Sequence, residues 1–235
     1  MIEPFSQEGF KSQLQSMHFD KADHLAQSFE IYREALVENN AKFNLTAITK
    51  DEEIREKHFL DCLNIQDLIP KNSLVADIGT GAGFPGLVLA MVRPDCHFDL
   101  IEPTTKRCGF LHLMVDKLEL KNVTIINERA EDLKSYKGKY DVIAIRAVAS
   151  LPILLELSMP LLKVKGKLIA MKGSSALEEL REANTALNTL KVSQTEIVEK
   201  DLPTAGKRIH LIFTKTEETP KQYPREYRLI KKKAL

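Results

Sequence analysis

Two rhythms of apolar and polar positions divide the chain. Over residues 1–72 the apolar positions recur at helical spacing. Leu25, Phe29, Tyr32 and Leu36 follow one another at steps of four, three and four, the stripe of an amphipathic helix. Asp20 is placed to cap that helix. Thr49 and Glu52 form a capping-box pattern ahead of EIREKHFLDCL (53–63). From Ser73 short strand-like runs alternate with helix-like ones. SLVADIG (73–79), CHFDLIE (96–102), VTIINE (123–128), YDVIAIRAV (140–148), KGKLIAMKG (165–173), VSQTEIVE (192–199) and KRIHLIFTKT (207–216) read as strands. PGLVLAMVR, TKRCGFLHLMVDKL, LPILLELSMPLL and SSALEELREANTALNTL read as helices between them, while the third gap holds only AEDL (130–133). The alternation predicts an α/β fold, a doubly wound, mostly parallel seven-stranded sheet at 73–235 with an N-terminal helical extension at 1–72. DLPTAG (201–206) is too short for a helical crossover, so the last two strands are expected to be antiparallel.

Composition narrows the class. The chain has 235 residues, 43% hydrophobic and 29% charged, as an ordinary globular protein has. No apolar run approaches the ~20 residues of a membrane span, and MIEPFSQEGF does not resemble a signal peptide. The three cysteines lie far apart without a C-x-x-C pair, so neither a disulfide framework nor a metal site is expected. A cytoplasmic monomer is the simplest expectation. The near-neutral total conceals an asymmetry: residues 1–70 carry 7 Lys and Arg against 13 Asp and Glu, the remainder 27 against 20. The tail KQYPREYRLIKKKAL has six basic residues and one acidic, either a solvated end or a surface for an anionic partner.

VADIGTGAGFPGLVLA (75–90) carries the strongest local signal. Its glycines close the first predicted strand, where an open parallel sheet binds ligands. Gly79, Gly81 and Gly83 let backbone approach a ligand, and Pro85 fits the first turn of the next helix. Gly81-Ala-Gly83-Phe-Pro-Gly86 also satisfies the dinucleotide fingerprint. Asp77, directly before the glycines, suits a cationic ligand better than a pyrophosphate. Glu102, ending the second strand, is placed for ribose hydroxyls in either case. Ala130 and Glu131, after the third strand, lie where an adenine would sit if a single nucleoside crosses the crevice. Any one of these acids is as readily a helix cap; three at successive strand ends favour a ligand. The pattern points to S-adenosylmethionine, whose sulfonium and ammonium are both cationic.

With those residues placed, the chain resembles the bacterial 16S ribosomal RNA guanine-N7 methyltransferases, once called glucose-inhibited division protein B. The resemblance rests on FNLTAI (43–48), HFLDCL (58–63), DIGTGAGFPG (77–86), KR (106–107), RAEDL (129–133), RAVASL (146–151), KG (172–173) and YPR (223–225). It implies a class I S-adenosylmethionine-dependent methyltransferase fold, Rossmann-like, acting on 16S ribosomal RNA or a small-subunit ribonucleoprotein particle. It also implies cofactor contacts at Gly79, Phe84, Glu102, Ala130, Glu131 and Arg146. The chain departs from the family pattern at Phe43, where Trp is usual, at Pro103, where Ser is usual, and after YPR, where it runs EYRLIKKKAL. A methyltransferase with another substrate, or a non-catalytic RNA-binding protein on the same fold, are the competing readings.

Guanine N7 carries a lone pair at neutral pH, so its methylation needs alignment and exclusion of water but no general base. Arg146, ending the fourth strand beside the expected methyl position, is the candidate catalytic residue; the plainer reading is a surface ion pair. His58 and Asp61 look like a catalytic pair, but an interface hydrogen bond closing over the glycine turn is the preferred reading. Phe84 is expected to pack on cofactor or core. Lys106 and Arg107 open a helix where the dipole disfavours cations, which suggests a phosphate partner. Lys172, Arg225 and the basic tail complete the candidate RNA surface.

Overall fold

The computed structural model describes residues 3–19 and 21–235. The chain opens with α1 (Gln7–Ser16) and α2 (Ala22–Phe43), followed by α3 (Asp51–Ile54), a π-helical turn (Arg55–Leu60) and α4 (Asp61–Leu63). Then come β1 (Leu74–Ile78), α5 (Gly86–Val92), β2 (His97–Ile101), α6 (Thr105–Lys117), β3 (Val123–Ile126) and β4 (Tyr140–Arg146). The remaining elements are α7 (Leu151–Ser158), β5 (Leu162–Lys172), α8 (Ala176–Glu182), α9 (Asn184–Thr189), β6 (Val192–Leu202), β7 (Gly206–Lys215) and α10 (Tyr227–Lys232). AEDL supplies only a short 3-10 turn, Ala130–Asp132.

The seven strands lie in the order β3-β2-β1-β4-β5-β7-β6. β1 pairs in parallel with both β2 and β4, so the switch point lies at its carboxyl end. β7 inserts between β5 and β6, antiparallel to both, because DLPTAG permits only a hairpin.

The predicted stripe on α2 is buried: Phe29 packs edge-on against Phe10 at 5.4 Å and lies 4.7 Å from Phe59 of the π-turn. That cluster is continuous with Val75, Phe98, Val142 and Ile169 of the sheet, so the helices of the extension share one core with a face of the sheet. A second cluster, on the opposite face, joins Ile143, Ile145, Leu168 and Leu211 to α7, α9 and Ile230 of α10.

The cap expectations are corrected in part. Asp20 lies outside the described residues. The capping box at Thr49 does not form: Lys50 is the N-cap of α3 and no side chain bonds there. Asp51, Glu52 and Glu53 in the first turn complement the helix dipole instead, and Asp51 pairs with Arg33 at 2.9 Å. Among the described residues no helix is long and apolar enough to cross a membrane, and no group of three His, Cys, Asp or Glu side chains is placed to hold a metal.

Candidate functional site

The glycine turn is held from both sides. Gly79 N–H donates to Ile101 O at 2.8 Å, and Gly81 N–H donates to Glu102 Oε2 at 3.0 Å. Glu102 Oε1 accepts from Thr104 N–H at 2.9 Å, so this buried carboxylate ties the ends of β1 and β2 together. Val148, in the loop after β4, lies over Gly79, where an added Cβ would approach it to 2.8 Å. Gly81 has φ +61° and open space on its outer side: an added Cβ would meet nothing nearer than Gly79 O at 3.9 Å.

Asp77 occupies a different place from the one its position suggests. Fully buried beneath the turn, it accepts through Oδ2 from Thr80 Oγ1 at 2.6 Å and Gly86 N–H at 2.7 Å. Burial pushes its carboxyl up to about 7, against the pull of those hydrogen bonds. Through Oδ2 it braces the turn, while its Oδ1 is buried without a hydrogen-bond partner. Pro85 is the N-cap of α5, one position earlier than expected. Phe84 belongs to the core: 6% exposed, its ring stacks on Tyr32 at 5.4 Å and on His58 at 4.4 Å.

Arg146 is the junction between the sheet and the extension. Its Nη1 donates to Lys57 O at 2.9 Å and to Asp61 Oδ2 at 3.2 Å, its Nη2 to His58 Nδ1 at 3.0 Å, and the guanidinium lies 5.0 Å from the Phe84 ring centroid. His58 and Asp61 do not pair with each other; both clamp Arg146. A guanidinium only donates, so Nδ1 of His58 is the acceptor and its Nε2–H faces Thr46 Oγ1 at 2.8 Å. Burial, then the neighbouring guanidinium, lowers the imidazole pKa to about 3, and the ring is neutral. This interface forms because the π-turn widens the helix and directs successive side chains outward in different directions. Arg55 pairs back to Glu30 at 2.9 Å, while Glu56 reaches sideways to Thr204 Oγ1 and to the N–H groups of Thr204 and Ala205, clasping the β6–β7 hairpin.

Beside Arg146, at the carboxyl ends of β4 and β5, opens a cavity of about 450 Å³. Lys172 lines it, as does Arg208 at the start of β7. Lys172 is paired, its Nζ 2.7 Å from Glu179 Oε2. Lys106 is exposed, and Arg107 Nη1 lies 3.8 Å from Glu102 Oε2. Arg225 is elsewhere: its guanidinium and backbone N–H bind Glu156, a carboxylate with no exposure, at 2.6–3.0 Å. A buried carboxylate requires such a partner, and Arg225 therefore anchors the tail where RNA contact was expected. Arg208 carried no sequence signal, since only the insertion of β7 beside β5 brings it to the cavity.

The strand ends suit a nucleoside. Glu131 Oε1 is buried without a hydrogen-bond partner, the nearest cation, Arg129 Nη1, lying 3.7 Å away. Ala130 beside it is buried. Glu102 and Glu131 place carboxylate oxygens at neighbouring strand ends, acceptors of the kind that could hold a ribose diol and an exocyclic amine, and Gly81 leaves the space above the turn open.

Solved structures share the architecture: TYW2 from M. jannaschii in complex with AdoMet superposes with a TM-score of 0.54 at 16% identity, over 68% of this chain and 75% of that one. Sequence relatives are far closer. A protein named ribosomal RNA small subunit methyltransferase G from Streptococcus pneumoniae is 40% identical over 234 residues, 97% of this chain and 99% of the relative. The Clostridium perfringens protein of the same name is 41% identical over 89% of this chain and 90% of the relative. Residues 25–210 match the family described as rRNA small subunit methyltransferase G. With the glycine turn and the Arg146 junction both inside that span, the chain belongs to the rRNA small subunit methyltransferase G family.

Proposed function

We infer that the protein methylates N7 of a guanine in 16S ribosomal RNA with S-adenosylmethionine as donor. The observation that carries this reading is the coincidence of family and site: the match over 25–210 takes in Gly79–Gly83, Glu102, Ala130–Glu131, and Arg146 with His58 and Asp61. S-adenosylmethionine supplies an electrophilic methyl group when bound.

The chain's own task is to hold and align. Glu102 accepts from the ribose hydroxyls while keeping the Gly81 N–H. Glu131 offers its unpartnered oxygen to the adenine amine, next to Ala130. Arg146, fixed by three acceptors, holds its charge at the boundary between the glycine turn and the cavity. N7 already carries its lone pair, so no residue need remove a proton. The neighbouring groups agree with that: His58 stays neutral, and burial pushes the Cys62 thiol well above its ordinary range. In A-form RNA the deep major groove hides N7, so the target must be presented in a loop, a deformed helix or an assembled particle.

The extension, residues 1–72, and the sheet domain, residues 73–235, act as one unit in this reading, because Arg146 is set by groups from the extension. We place the protein in the cytoplasm as a monomer. Mapping N7-methylguanosine in small-subunit RNA from cells with and without the protein tests the function. Loss of one such modification is expected; an unchanged map, or failure of the purified protein to bind S-adenosylmethionine, rejects it.

A further inference from the structure

We propose that the cavity beside Arg146 is the site for the acceptor base, and that Asp61 reads the Watson–Crick edge of the guanine. The proposal rests on the functional reading above. Two acids line the cavity, and they differ. Glu179 is saturated: Oε2 accepts from Lys172 Nζ at 2.7 Å and from Leu151 N–H at 3.1 Å, Oε1 from Ser175 Oγ at 3.2 Å. Asp61, 4% exposed, gives Oδ2 to Arg146, while its Oδ1 is buried without a hydrogen bond. Arg208 Nε lies 3.3 Å from Oδ1 but is not aligned with it. A buried carboxylate oxygen left in this condition is costly unless something else donates to it.

Guanine supplies what is missing. Along its edge the O6 acceptor is adjacent to the N1–H donor, followed by the N2 amine. Both Nη1 protons of Arg146 are taken, by Lys57 O and Asp61 Oδ2, and one Nη2 proton by His58, which leaves the second Nη2 proton as a donor for O6. Asp61 keeps Oδ1 as the acceptor for N1–H, on a neighbouring side chain of the same cavity wall. Adenine presents the reverse, an amine where O6 would be and a bare N1 where the proton would be, so both contacts fail. The same pair responds to the reaction. As the N7–C bond forms and the C–S bond breaks with its electron pair left on sulfur, the purine gains a positive charge. The N1 proton stays on the base but becomes more acidic, so its hydrogen bond to the carboxylate strengthens towards the transition state. Asp61 therefore selects guanine and accelerates transfer without taking a proton.

The test uses small-subunit particles whose target guanine, once mapped, is replaced by inosine or by 2-aminopurine. Inosine keeps O6 and N1–H; 2-aminopurine lacks both but keeps N7. With the wild-type protein, inosine should be methylated within about tenfold of guanine, and 2-aminopurine at least roughly a hundredfold more slowly, the scale of one lost oriented contact. Asp61→Asn should lower kcat on guanine by a similar factor of about a hundred and narrow the preference over 2-aminopurine, with the Kd for S-adenosylmethionine unchanged. If Asp61 only anchors Arg146, the Asn amide oxygen still accepts from Nη1, and the variant will methylate and discriminate as the wild type does. That result overturns the proposal, as does equal methylation of guanine and 2-aminopurine by the wild-type protein, which requires no variant to fold. A wild-type protein that methylates no particle overturns the functional reading itself, and this one with it.

Discussion

Arg146 Nη2 donates to His58 Nδ1 at 3.0 Å, while the His58 ring stacks on Phe84 at 4.4 Å. Through this contact the end of β4, the glycine turn and the π-turn of the extension set one another's positions. Its energetics depend on a neutral imidazole, because a protonated ring would place two cations in contact at a buried site.

The pH dependence of stability reads that state directly. The unfolded imidazole titrates near 6.5, whereas in the folded chain it stays neutral down to about 3. Between these values the unfolded chain binds more protons, so this group's contribution is present above about pH 6.5 and is lost on acidification, by up to about 1.4 kcal/mol per pH unit. Asp77 acts in the opposite sense. Its folded pKa is raised from 3.8 to about 7, so the folded chain holds the extra proton there and stability falls as pH rises through that window. The two effects offset each other in the wild type, and His58→Gln removes only the first. In urea denaturation the stability gap between wild type and variant should widen from about pH 4.5 to about pH 6.5 and level off above about pH 7. A gap independent of pH means that His58 is not held neutral.

Two glycines of the turn should respond differently to a side chain. Gly81→Val places its methyls in open space above the turn, at a cost of about 1–3 kcal/mol for the left-handed backbone. The variant is expected to fold but to lose measurable S-adenosylmethionine binding in calorimetry, because the added atoms fill the side the cofactor needs. Gly83→Ala is a packing lesion instead. At φ +100° its Cβ would run into Leu87 Cδ1 and Tyr32 Oη, so the fold itself should weaken in thermal denaturation. Normal cofactor affinity in a folded Gly81→Val protein would remove the turn from the binding site.

Arg225→Ala should behave as a stability variant. It leaves Glu156 in an unexposed site with the Arg225 backbone N–H but no guanidinium. Because the Arg225 side chain is 25% exposed, the loss should be up to about 3 kcal/mol, the low end for a buried pair with one partner removed. The stability curve should shift by that amount, while the salt dependence of RNA binding by the folded fraction stays unchanged. A stable variant with a flatter salt dependence would return Arg225 to the RNA surface.

Arg225 also marks where the sequence stops being legible. The sheet and its terminal hairpin follow from local rhythm and connection length, and the strand-end acids follow from strand order. Partner choice does not. YPR among basic neighbours reads as a nucleic-acid motif, and nothing local reveals Glu156, 69 residues away, turned into the core of α7. Asp77 shows the same limit: its sequence position does not reveal that Thr80 and Gly86 fold back over it and occupy one of its two carboxylate oxygens, leaving the other without a partner. Asp61 and Arg208 meet only because α4, directly after the π-turn, and the inserted β7 converge at one end of the sheet.

The remaining basic groups of the tail face outward and are the ones left for RNA. Ile230 anchors α10 in the second core, and Lys231, Lys232 and Lys233 at its end are exposed. The acidic extension repels a polyanion, so docking should depend on such groups, together with Lys106. Each phosphate contact contributes about 0.7–0.9 to the slope of log K against log salt. Replacing the three lysines with alanine should weaken RNA binding and flatten that slope by up to three such increments. Cofactor affinity should stay the same, because the three lysines lie exposed at the far end of α10, whereas the tail approaches the strand ends through Tyr227, against Arg129, which the variant keeps. The loss of helix-dipole complementarity in α10 is worth about 0.3–1 kcal/mol per lysine at most, too little to unfold the chain. Titrations of RNA at several salt concentrations decide it: an unchanged slope takes the tail out of RNA docking, and a loss of S-adenosylmethionine binding makes it part of the cofactor site instead.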